Sequence, residues 1–557
     1  MMFSIRSLLM ALLVSWSLTS PAVSASQPYW ARFVDQATFG PTPTLLDAWS
    51  TSDPEAWIND QRSVAATRYP GLPAFPSSST QGCPDAATAA TCKRDNYSMY
   101  PLEVQFFQNA LFAPDQLRQR VAFALSQIFV VSGVKISQPS SLSPFLNLLV
   151  DGAFGNYRDL LKQVTLNPAM GYYLDMVNND KGTTDGKIRP NENYAREVLQ
   201  LFSIGLYQLN KDGTQKLGSD GQPIATYDQD TVEGFAHVFT GWTFGTLTGA
   251  TPKKHNPSNY LVPMEIYRVN GQDTNHEKGA KQLLVYPGTT GQLVAGQDAA
   301  ADLEVAIDNI FNHPNVGPFI GRRLIQALVT SNPSTDYVAR VAQAFNNNGS
   351  GIRGDLFATV KAVLLDPEAR SDKTVQVSYG KLREPVLMVT AFLRGMEATS
   401  DGILSSQTKA MAEDVFYSST VFNYFPNPYV IPGTNLDGPE FGVESSAVAV
   451  ARDNFINTMV YSRINSPATT PPQAVSGTDL NFSRLDALSA NSDPSGLLDY
   501  LSAHFLQGGM TASMKSIITS ALNCTQTGGK GPCTNARDRS RTALYLVATS
   551  AFYQVQR

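Results

Sequence analysis

The stretch Pro190-Asn191-Glu192-Asn193-Tyr194-Ala195-Arg196-Glu197 concentrates polar chemistry in eight residues. On a helix opening at Pro190, Asn193 and Glu197 lie four apart and share a face, and Glu192 and Arg196 form a second such pair. A carboxylate beside an amide can bind sugar hydroxyls, ligate a metal or move a proton. The same residues also make an ordinary surface salt bridge and helix-start network. His276 sits beside Glu277 in the polar turn Asn275–Lys281, where it can be a general base or a ligand, or a loop histidine bonded to backbone. Glu233 and His237 are four apart, a spacing that admits two metal ligands. Their neighbours Phe235, Val238 and Phe239 speak for a packed helix instead. Arg322-Arg323 can clamp a carboxylate, phosphate or sulfate, or pair with a neighbouring helix. Trp242 and the aromatics of Phe422–Pro426 stand beside turn residues, where a ring can stack on a sugar or join the core. Asp-rich stretches at 175–185 and 212–230 offer oxygen ligands without the spacing of an EF-hand. The nucleophile elbow, HExxH and the phosphate-binding P-loop are absent, and Ala280 stands where a zincin would need its second histidine.

Helices must position these residues. Apolar residues recur at helical spacing in Leu117, Val121, Ala124, Leu125 and Ile128, after a start at Pro114-Asp115. The same pattern runs through Ile320, Leu324, Ile325, Leu328 and Val329, from Pro385 to Gly395, and from Arg537 to Tyr553. Strand-like alternation is short, as at Leu283–Tyr286. Asp212-Gly213 and Asp220-Gly221 predict tight turns of a small hairpin within Lys211–Tyr227. Thr243–Gly279 reads as a long irregular insertion and Pro467–Gly477 as a surface loop. The expectation is a mainly α, large multi-helix globular fold with long irregular loops and a small β-hairpin component. A provisional division puts an N-terminal helical region at 26–300 and a C-terminal helical region at 301–557, with one domain as the alternative.

With 557 residues, 43% hydrophobic and 16% charged, the chain has ample apolar material for a large core. Its formal charge of −5 gives no electrostatic case for nucleic acid as a partner. Arg6, the apolar run Ser7–Leu18 and the small residues Val23-Ser24-Ala25 form a signal peptide over residues 1–25. The apolar run is too short to span a bilayer, and no later stretch reaches the roughly 20 residues a span needs, so no transmembrane anchor is expected after cleavage. Export, to periplasm or beyond, suits four cysteines in two short loops. Local closure would pair Cys83 with Cys92 and Cys524 with Cys533, against a four-thiolate zinc site that lacks its usual knuckles.

The chain resembles a bacterial family of exported proteins called "domain of unknown function 1800". The resemblance is carried by Gln36-Ala37-Thr38-Phe39-Gly40-Pro41-Thr42, Leu117–Ser126, Pro190–Glu197, Leu201-Phe202-Ser203-Ile204-Gly205, Thr240-Gly241-Trp242, His276…Gly279…Lys281, Arg322-Arg323-Leu324 and the ending from Ala543 to Tyr553. It implies that Asn193, Arg196, Glu197, Trp242, His276 and Lys281 are positions the family's motifs share. Gln200 departs from an expected Glu, His237 from an expected Arg, and Glu277 from an expected Asp. Such proteins often accompany exported relatives of sulfatases and phosphatases, which implies extracellular polymer chemistry but no established activity.

Together these observations lead to an exported, soluble protein that processes or handles an extracellular or envelope polymer, carbohydrate before others. In an enzyme, Glu197 and His276 are the candidate catalytic pair, with Asn193, Arg196, Trp242 and Lys281 binding substrate and Arg196 or Lys281 taking an anionic group. A non-catalytic helical binding or assembly protein and a metal-dependent hydrolase or oxidoreductase are the alternatives. The expected partner is a polysaccharide or another exported protein, and no cofactor or metal is specified.

Overall fold

The computed structural model describes residues 27–183, 185–371, 379–467, 475–491, 493–523 and 535–557. The expected leader at 1–25, Cys524 and Cys533 lie outside the described residues, as does most of the loop expected at Pro467–Gly477. Within them, 25 α-helices stand against four two-stranded antiparallel sheets, so the fold is mainly α with a small β component. The Cys83–Cys92 disulfide is present.

The apolar stripes form the helices they predict. Gln116–Ser126 buries Leu117, Val121, Ala124 and Leu125, and Val316–Leu328 buries Ile320, Leu324, Ile325 and Leu328. Pro385–Gly395, apolar nearly all round, is buried along its whole length, as a fully enclosed helix should be. The last stripe breaks into Ala536–Ala548 and Ala551–Gln554 and ends in a strand, Val555–Gln556, paired with Lys381–Leu382. Between Tyr207 and Ala225 the chain makes the expected nested turns. Gly213 and Gly221 take positive φ of 79° and 76°. Asp212 and Asp220 accept backbone N–H groups two residues on, the local bonding that makes Asp a turn former. The strand expected at Leu283–Tyr286 lies slightly upstream, at Lys281–Gln282.

One hydrophobic cluster extends from Trp30 to Tyr553 and draws on helices from both ends of the chain. Buried charges cross the same span. Arg383 grips Asp35 through two bonds of 2.9 and 2.8 Å, and Lys381 meets Glu440 at 2.9 Å. Arg120, fully enclosed, donates to the Ala327 carbonyl. Contacts therefore run across the provisional boundary at residue 300, including the helix Ala299–Phe311, which supplies Asp302 to the loop carrying His276.

Candidate functional site

The helix carrying the richest polar motif starts at Asn193, three residues after Pro190, and runs to Gln200. Its buried side is Tyr194, Ala195, Val198 and Leu199, which turns Asn193, Arg196 and Glu197 away from the core. Just outside its start, the Glu192 carboxylate accepts from Arg196 at 2.6 Å and from Gln229 at 3.1 Å. Arg196 also donates to the Gln229 Oε1 at 2.7 Å. Asn193 reaches Asp175 at 3.4 Å. Glu197 is half-buried, and one of its oxygens, Oε2, is enclosed without a hydrogen-bond partner among the described residues. Burial raises its pKa against the opposing Arg196 charge, and burial plus the Glu197 charge pushes Tyr227 up to about 12.

Helix Gln229–Val238 packs beside this one. Asp228 caps it by accepting the Thr231 N–H at 2.9 Å, as a short acid at a helix start does. Gly234 lies so close to the strand Lys281–Gln282 that a Cβ there would come within 1.8 Å of the Gln282 carbonyl oxygen. Only a residue without a side chain fits, and that close approach brings the loop at 276–281 against the helix. The loop then divides. His276 turns inward, where its Nε2 faces Asp302 Oδ2 at 2.9 Å and its Nδ1 faces the Thr240 carbonyl at 3.0 Å. The Thr240 hydroxyl also lies 3.3 Å from Nδ1, so the ring is held at both nitrogens. Lys281 Nζ meets the same Asp302 oxygen at 2.6 Å and the Gly279 carbonyl at 3.0 Å. The side chains of His276, Lys281 and Asp302 are 0%, 1% and 0% exposed.

Glu277, the next residue, faces outward. With Glu192, Glu233, His237 and Arg189 it lines an open polar cleft of about 430 Å³, whose lining also includes Gly182, Thr183, Ile188 and Pro190. The His237 ring is half-buried and makes no hydrogen bond among the described residues. Burial lowers its pKa, with Glu277 and Glu233 opposing and Lys281 adding to the depression, so the imidazole is biased toward its neutral form. Three carboxylates and a half-buried imidazole can accept hydrogen bonds from hydroxyl or ammonium groups, the imidazole can take a proton, and the Arg189 guanidinium can donate to a hydroxyl oxygen. The same balance disfavours anions.

The motif residues thus go to different places. No hydrogen bond or ion pair among the described residues joins Glu197 to His276: Glu197 is half-buried on its helix, and His276 is enclosed against Asp302. Trp242, in the strand Trp242–Thr243, is buried with its indole nitrogen unpartnered, not presented as a stacking platform. Lys281 is enclosed against Asp302, and Arg196 spends its Nη2 on Glu192 and Gln229. Among the described residues no three His, Cys, Asp or Glu side chains are grouped as metal ligands would be. Asp302 escaped the sequence argument, because an acid in the first turn of an apolar helix carries no sign of facing inward. Glu233 and His237 were visible through their spacing, but their opening onto one cleft with Glu192 and Glu277 was not.

A family model described as "Protein of unknown function (DUF1800)" matches residues 32–555. No curated protein and no solved structure matches the chain.

Proposed function

This chain belongs to the DUF1800 family, and from that premise we propose that it is an exported protein which binds, and by proton transfer processes, a hydroxyl-rich polymer in the Glu192–Glu233–His237–Glu277 cleft. Polysaccharide is the favoured substrate class. The observation that carries the proposal is the uncommitted His237 imidazole opening onto a carboxylate-lined cleft. A neutral imidazole accepts a proton from a water or a sugar hydroxyl, and the carboxylates hold neighbouring hydroxyls by charge-assisted hydrogen bonds. The excess of carboxylates favours a neutral or amine-bearing polymer over a sulfated or uronic one. The leader at residues 1–25 and the Cys83–Cys92 disulfide support an oxidising, extracytoplasmic address.

Titration with defined oligosaccharides, neutral, amino and acidic, tests this together with an assay for new reducing ends. A neutral or amino class should bind, and Glu233→Gln and His237→Ala should each weaken it ten-fold or more without changing the melting temperature. Binding that persists without turnover would leave a binding protein. Indifference of both variants, or a preference for the acidic class, would remove the cleft from consideration.

A further inference from the structure

Outside the polar cleft, the Arg322-Arg323 pair resolves into two unlike residues. Arg322 is spent on Asp437, at 2.7 Å. Arg323 makes no hydrogen bond or ion pair among the described residues; its guanidinium lies over the Phe319 ring at 5.1 Å and lines a separate pocket of about 340 Å³. That volume is at the small end of the range, about 300–1,000 Å³, for small-molecule sites. The walls are apolar, formed by Ile128, Leu201, Ile204, Leu206, Phe319 and Phe422. Phe422 and Leu206 are 47% and 46% exposed at its edge, and large apolar groups clustered at a cavity mouth mark a place where something binds. On the same lining, the side-chain amides of Gln200, Gln215 and Asn427 also lack hydrogen-bond partners among the described residues.

We propose that this pocket binds a small amphipathic monocarboxylate, its carboxylate on Arg323 with the lining amides as further donors and its hydrocarbon body against the apolar walls. Charge complementarity selects the ligand. A planar guanidinium matches a carboxylate through parallel N–H donors. Arg323 is the one charged residue in the lining, and Arg322 and Lys381 are already neutralised by Asp437 and Glu440, so the site offers one positive charge and suits a monoanion. Burial pushes Arg323 down to about 10, which leaves it charged at neutral pH yet poorly solvated and in need of a counter-charge. The pocket shares no lining residue with the polar cleft and does not rest on the glycan proposal.

Calorimetric titration of the full chain with octanoate and with octanol, its uncharged counterpart, tests the assignment. Octanoate should bind at least ten-fold more tightly than octanol. Arg323→Gln should remove that ten-fold preference while leaving octanol unchanged, and Phe422→Ala, on the exposed rim, should weaken both ligands several-fold. A melting curve within a degree or two of wild type for each variant keeps loss of fold from imitating loss of binding. Equal affinity for the two ligands, no binding of octanoate at millimolar concentration, or an octanoate preference that survives Arg323→Gln would overturn the proposal.

Discussion

His276 and Glu277 are adjacent in the chain and belong to opposite electrostatic worlds. His276 lies in a sealed cluster with Lys281 and Asp302, where every side chain is excluded from water. Glu277 lies in an open cleft with Glu192, Glu233 and His237. The residue types are the same, carboxylates and imidazoles. What differs is whether the partners are internal. In the sealed cluster Asp302 Oδ2 meets both the His276 ring and the Lys281 ammonium, and the cluster's work is to hold the loop 276–281 against the helix Ala299–Phe311. In the cleft the His237 ring is left for something outside the protein. Charges paired with one another inside the protein build structure, even where one oxygen, Asp302 Oδ1, stays without a partner among the described residues, and an uncommitted imidazole at a cavity wall is where a ligand can act.

The sharpest way to break that comparison is to remove Asp302. Asp302→Ala would leave Lys281 buried without a counter-charge and the His276 Nε2 without its partner, a loss of about 3–5 kcal/mol. Urea unfolding should show the midpoint falling steeply, and a midpoint close to wild type would mean the cluster is not structural. Glu103 supplies an intermediate case, a buried carboxylate with a weak set of partners. Burial and the nearby Asp414 raise its pKa from 4.5 to about 7, against the opposing Lys409. Because the folded pKa is raised, its stabilising contribution is complete below pH 4.5 and is lost as pH rises through about 7. Glu103→Gln should therefore gain on wild type between pH 5 and pH 8, on the order of 3 kcal/mol at most. Melting curves at the two pH values check this, and a constant gap would contradict it.

On the open side, His237→Ala should cost ten-fold or more in glycan affinity, about 1.4 kcal/mol, and little in stability. A large drop in melting temperature would move His237 from the cleft's chemistry to the core's. The smallest effect belongs to Arg196→Ala. Its ion pair with Glu192 has side chains 47% and 31% exposed. Exposed pairs of this kind contribute about 0–1 kcal/mol. An unfolding shift well above that range would show that Arg196 organises the helix start and the cleft wall together.

Much of the architecture was legible in residue spacing. The stripes through Leu117–Leu125, Ile320–Leu328 and Pro385–Gly395 became the helices they describe, because burying one apolar face is the dominant local instruction in a helical chain. The Asp-Gly turns were equally readable, since Asp capping and glycine's positive φ act within four residues. The helix start was less so. Pro190 proposed it, but Asn191 bonds the Asn193 N–H at 2.9 Å and delays the first turn.

The sequence by itself therefore determined the helical class, the turns, the polar motifs and the resemblance that the family match over residues 32–555 confirms. Only the tertiary structure decided which polar residues are enclosed. His276 went inside because Asp302, 26 residues away, meets it there, while Glu277 and His237 were left facing a cavity. The reason is physical. Helical periodicity and turn chemistry are read within a few residues, whereas the fate of a charge depends on its desolvation and its partner, and partners come from anywhere in the chain.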